Sequence, residues 1–127
     1  MRYAGFILVV CGIAALHGCR FKPANKTGSQ IYSDQCASCH GTKGEGLSRL
    51  VPPLNDPVRL AQLGDSLPCI IRYGVRGRAQ FGYQPMPPFP SLEADDIALL
   101  WAYLWELAGH LDTSLSLAQV RKSGCVE

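Results

Sequence analysis

Cys36-Ala37-Ser38-Cys39-His40 is the stretch on which the reading of this chain turns. Two cysteines three positions apart, with a histidine directly after the second, have the spacing of a c-type haem attachment site. Each thiol adds across one haem vinyl group to form a thioether, and the adjacent imidazole then falls beneath the iron as proximal ligand. A bare Cys-x-x-Cys also serves as a redox dithiol or as half a zinc site. The dithiol needs a thioredoxin-like βαβ setting and zinc needs a second paired motif; the sequence offers neither. The expected cofactor is one covalent haem c with its iron, carried by Cys36, Cys39 and His40.

Upstream of the motif, residues 1–18 read as a secretory signal: Arg2 supplies a positive charge and Ala4 to Leu16 are almost wholly apolar. The run falls short of the ~20 residues a membrane-spanning helix needs. It ends in Leu16-His17-Gly18-Cys19, which resembles a bacterial lipobox, although His17 is an unusual occupant of its position. The resemblance implies that Cys19 is diacylated and becomes the mature N-terminus; the alternative is cleavage nearby, with Cys19 a free thiol. Cys11, behind bulky Val10, reads as an apolar residue of the signal. Residues 19–26 are polar with one proline and read as a tether. Residues 27–127 then form one domain with a C-terminal tail, exported to the periplasm or outer cell face and held to a membrane through Cys19.

The chain carries a formal charge of +2, and losing Arg2 with the signal leaves +1. That balance gives no argument for nucleic acid binding. A domain this small has a limited core of its own, and a covalent porphyrin supplies a large apolar body to pack around.

Helix signals frame the motif. Thr27 or Ser29 can cap a first helix running through Ile31 and Tyr32. Residues 41–57 are rich in glycine and proline and read as a long loop. Pro57 suits the start of a short helix over 58–63 that Gly64 ends, and Ser66 is a candidate cap for the next, which Gly74 stops. Residues 77–90 are irregular, with four prolines. Ser91 is a candidate cap for a last helix in which Ile97, Leu100, Trp101, Leu104 and Ala108 recur at helical spacing until Gly109. The tail carries a weaker pattern at Leu115, Leu117 and Val120. No segment reads as a strand.

The iron needs a second axial ligand. Met1 leaves with the signal, so Met86 is the one thioether available, in a loop stiffened by Pro85, Pro87 and Pro88. The alternatives are a gap-filling core methionine, or His110 as the ligand instead. His/Met ligation raises the potential and leaves no open position for a substrate.

With this order of features the chain resembles a class I cytochrome c over nearly the whole mature sequence. The resemblance implies an all-α fold of about four to five helices wrapped around one haem. It implies that Gly28 and Tyr32 pack against Tyr103 on the last helix, and that the carbonyl of Pro52, with Pro53 as fallback, accepts the N–H of the proximal imidazole. Packing alone also accounts for Tyr32, Trp101, Tyr103 and Trp105. Cys69 and Cys125 depart from the usual class I pattern but resemble a lipoprotein-like branch with Pro-Cys-Ile-Ile in the third helix. An even pair in an exported protein reads as a Cys69–Cys125 disulfide; two unrelated thiols are the alternative.

The function expected is one-electron transfer, without catalysis and without a small-molecule substrate, between a redox donor and acceptor such as a membrane oxidase or a quinol-oxidising complex. Arg72, Arg76 and Arg78 could steer an acidic partner, or form a scattered solvated face. The rivals are a docking subunit of a larger membrane redox complex, a c-haem peroxidase and a haem-based sensor.

Overall fold

The computed structural model describes residues 26–76, 84–110 and 117–125. The expected signal, Cys19, nearly all of the tether, and Arg78 lie outside these residues. The described chain is helical: α1 (Gly28–Gln35), α2 (Ala37–His40), α3 (Pro57–Leu63), α4 (Leu67–Tyr73), α5 (Ala94–Leu107) and α6 (Leu117–Lys122). Among the described residues extended pairing is limited to two isolated bridges, Leu47 with Val51 and Val75 with Met86. The all-α architecture expected from the sequence is the one found.

Thr27, not Ser29, caps α1. Its Oγ1 accepts from the Gln30 N–H while the Gln30 side chain accepts from the Thr27 N–H, a reciprocal capping box. The buried face of α1 then carries Gly28, Ile31 and Tyr32 against α5. Gly28 is there for want of a side chain. A Cβ built on it would come within 2.8 Å of the Tyr103 Cβ and would collide with the Leu99 backbone. Gly28→Ala must therefore push two helices apart; overpacking of this kind costs about 1–3 kcal/mol. The thermal midpoint of the variant should fall by several degrees, and an unchanged midpoint would mean that α1 and α5 do not meet here.

One turn on, the Tyr32 hydroxyl donates to the Gly41 carbonyl at 2.7 Å, and its ring sits 5.4 Å from that of Tyr103. Burial, aided by neighbouring Cys36, pushes the phenol up to about 12, so it stays a donor throughout the physiological range.

Two helix starts differ from the sequence expectation. Ser66 does not cap α4: its backbone is already helical, and its hydroxyl donates back to the Leu63 carbonyl. Gly64 ends α3, but a 3-10 turn over Gly64–Ser66 carries the chain straight into α4. A capping side chain needs an extended backbone to reach forward, and Ser66 lacks one. The cap position of α5 is Glu93, two residues after Ser91; its N–H donates to Asp96 Oδ2 at 3.0 Å. Asp56, unremarked in the sequence, caps α3 by accepting from the Val58 and Arg59 N–H groups.

The core gathers on the stripe Ala94, Ile97, Leu100, Trp101 and Leu104 of α5, against Ile31 and Tyr32 of α1 and Leu60, Leu67 and Ile71 of α3 and α4. Each large residue in it contributes at most about 1.5–3 kcal/mol by leaving water. The tail returns to this core: α6 packs on α5 with Val120 fully buried. Cys125, just beyond α6, pairs with Cys69 of α4 in a disulfide whose Cα atoms lie 5.1 Å apart. The Arg121–Asp95 ion pair beside it is exposed on both sides and adds little.

Candidate haem site

The Cys-x-x-Cys-His spacing becomes geometry in the single helical turn of α2. Positions i, i+3 and i+4 share one face of a helix. The N–H groups of Cys39 and His40 both donate to the Cys36 carbonyl, so Cys36, Cys39 and His40 stand together on the wall of a cavity. Both thiols are unbridged. Burial, with Cys39 close by, pushes the Cys36 thiol up to about 11, so it stays protonated at neutral pH.

His40 Nδ1 lies 3.0 Å from the Pro52 carbonyl oxygen. A carbonyl only accepts, so Nδ1 carries the proton and the Nε2 lone pair is left for a metal. Burial holds the imidazole below its ordinary pKa, against the smaller opposing effect of the Pro52 carbonyl. Desolvation thus keeps the ring neutral, the form that can ligate.

Met86 lines the same cavity, and the chain around it is tied down from several sides. Its backbone pairs with Val75 through two hydrogen bonds of 2.9 and 3.0 Å, and the Phe89 N–H donates to the Ile71 carbonyl at 3.1 Å. Arg72 Nη1 donates to the carbonyls of Pro90 and Leu92, each at 2.6 Å. Gly74 permits the closeness: its φ is +69°, and a Cβ there would lie 2.8 Å from backbone atoms of Pro87 and Pro88. The Gln84 N–H reaches the Leu50 carbonyl at 3.2 Å and joins the Met86 segment to the loop that carries Pro52.

The residues present fit a c-type haem. The wall between thiols, imidazole and thioether is apolar, made of side chains such as Leu54, Leu63, Ile71, Phe89, Leu100 and Leu104. A zinc site does not fit, because among the described residues no three His, Cys, Asp or Glu side chains converge. His110 is not on this wall. It is exposed beyond α5, with its ring edge-on to Trp105 at 5.7 Å.

The arginine cluster does not stand as a set. Arg72 is spent on the Pro90 and Leu92 carbonyls, Arg76 is exposed, and Arg78 lies outside the described residues. The sequence reading also passed over Arg59, which lines the cavity from α3. Its signal was its spacing: it stands four residues before buried Leu63 and so shares that helix face.

An apolar crevice walled by Cys-x-x-Cys-His and a helical frame is the architecture of a monohaem class I cytochrome c. Residues 23–104 match the family described as cytochrome c oxidase, cbb3-type, subunit III, and the chain belongs to that family. It is accordingly an electron-transfer protein with a covalently bound c-type haem. No curated protein matches it. The matched span stops within α5, so α6 and Cys125 lie beyond it.

Proposed function

We propose that the chain is a one-electron carrier whose haem is attached through Cys36 and Cys39 and ligated by His40 and Met86. The observation that carries this reading is the pinning of Met86 by Val75 on the wall that Cys36, Cys39 and His40 also line. When bound, the haem supplies a ferric/ferrous couple that takes up and releases one electron. The protein's residues do the rest. Pro52 orients the His40 ring and makes it a better donor. The prolines and backbone bonds around Met86 hold a weak sulfur ligand in place, and the apolar wall excludes water. No bond to a substrate is made or broken, and among the described residues no carboxylate and no histidine besides His40 lines the wall.

Donor and acceptor are redox proteins met on the outer side of a membrane, with the carrier tethered through a diacylated Cys19. The mass of the mature N-terminal peptide tests the tether: it should begin at Cys19 and carry two acyl chains plus a glycerol. For the carrier itself, a spectroelectrochemical titration of the holoprotein should give a reversible one-electron curve without peroxide turnover. Sustained peroxide consumption would point to catalysis instead.

The family's description names an oxidase subunit, which favours a second version of the same chemistry: a haem-bearing docking subunit of a membrane oxidase. Mild detergent extraction separates the two. A docking subunit stays with the oxidase through size exclusion, and a mobile carrier elutes alone.

A further inference from the structure

Packing of α1 on α5 explains the ring of Tyr32 and leaves its hydroxyl without a task. The side chain is buried with its ring against Tyr103, and a phenylalanine would fill the same space. A buried hydroxyl still has to be hydrogen-bonded, and this one donates to the carbonyl of Gly41, the residue directly after His40. Among the described residues that carbonyl has one other donor, the Gly44 N–H at 3.2 Å. The Gly44 carbonyl in turn accepts from the N–H groups of Leu54, at 2.7 Å, and Asn55, at 3.2 Å. Pro52, whose carbonyl meets His40 Nδ1, stands two residues before Leu54. The phenol therefore donates into one end of a short relay of backbone bonds whose other end carries the acceptor of the imidazole N–H. A further bond, from the Gly46 N–H to the His40 carbonyl at 2.7 Å, folds the same loop back on the ligand.

We propose that the Tyr32 hydroxyl is a positioning group for the proximal ligand: by fixing the Gly41 carbonyl it holds the 41–55 loop so that Pro52 meets His40 Nδ1. The inference rests on the haem-binding reading of the cavity and adds a residue that is not on the cavity wall and acts on His40 through the backbone. Tyr32 belongs to the frame of α1 on α5, whereas no helix lies between His40 and Pro57. The phenol ties that irregular stretch to the frame at its first residue. Burial pushes the phenol up to about 12, so the proton stays on its oxygen and the tie persists at any physiological pH. A well-placed Pro52 carbonyl makes the imidazole a stronger donor, and a stronger donor favours the ferric iron.

Tyr32→Phe keeps the ring and removes the bond. In ferrous holoprotein, solvent exchange of the His40 Nδ1–H, followed by NMR, should run about fivefold faster than in wild type, as loss of one neutral hydrogen bond would give. The midpoint potential should rise, because the imidazole becomes the weaker donor. The α5 amides of Leu100 and Leu104 should exchange at their wild-type rates. Tyr103→Phe, which strips the hydroxyl from the other ring of the pair, should leave both the Nδ1–H exchange and the potential as in wild type. In Tyr32→Phe, an unchanged exchange rate or an unchanged potential overturns the proposal. So does an acceleration shared by the α5 amides, which marks loosened packing alone. Should Tyr32→Phe fail to take up haem, wild type decides: a Tyr32 hydroxyl proton protected from solvent and close to Gly41 supports the tie, and a freely exchanging one contradicts it. Failure of the haem reading itself shows separately, as wild-type protein lacking the covalent haem mass.

Discussion

Met86→Ala is expected to lower the haem potential by on the order of 0.1–0.2 V, within the roughly 0.8 V that axial ligands span, and to open the iron to carbon monoxide. The thioether favours the reduced state, and its loss leaves water or nothing in its place. The variant isolates the sulfur cleanly. The bonds that hold this segment run from the backbone of residue 86 to Val75, and from Phe89 and Arg72 to their neighbours; none uses the Met86 side chain. Alanine leaves them in place, so the loop should keep its path while the ligand disappears. Met86→His should close the iron again at a lower potential than wild type. Wild-type potential and no carbon monoxide binding in Met86→Ala would exclude Met86 as the ligand.

Removing the staple should have the largest effect on stability. The Cys69–Cys125 disulfide closes a loop with a sequence separation of 56. The chain-entropy account of such a loop gives ~4 kcal/mol. For a domain of about 100 residues, a Cys69→Ala/Cys125→Ala variant should unfold on the order of 15–30 °C lower than wild type. The loss should reach the haem site as well. Cys69 sits on α4, the helix whose far end supplies Ile71, Arg72 and, just beyond it, Val75 to hold the Met86 segment. Wild type treated with reductant should approach the variant. Equal midpoints with and without reductant, or a free Cys125 peptide in a non-reduced digest, would contradict the pairing.

What could be read from the sequence depended on how local the controlling interaction is. The turn of α2 was legible because spacing alone puts Cys36, Cys39 and His40 on one face. The α5 stripe was legible because Ile97, Leu100, Trp101 and Leu104 repeat with the helix. Capping was less so. Ser66 and Ser91 carry the right side chain, but a cap also needs an extended backbone at that residue, and the chain enters α4 already turning and starts α5 two residues later. Arg72 looked like a docking charge because sequence shows the cation and not the two carbonyls, eighteen and twenty residues away, that it bonds. Arg59 passed unremarked in the sequence because its place on the cavity wall becomes visible only once α3 is laid against the cavity. Contacts between residues distant in the chain carry no period, and so leave no local mark.

The central claim is a closed, six-coordinate haem built for electron transfer, and exposure of the reduced wild-type holoprotein to carbon monoxide at neutral pH tests it most directly. A Met86-ligated iron predicts a visible spectrum that does not change over the time in which the Met86→Ala variant is fully converted. Rapid conversion of wild type to the carbon monoxide form would contradict the account and mark the iron as an open, substrate-accessible centre.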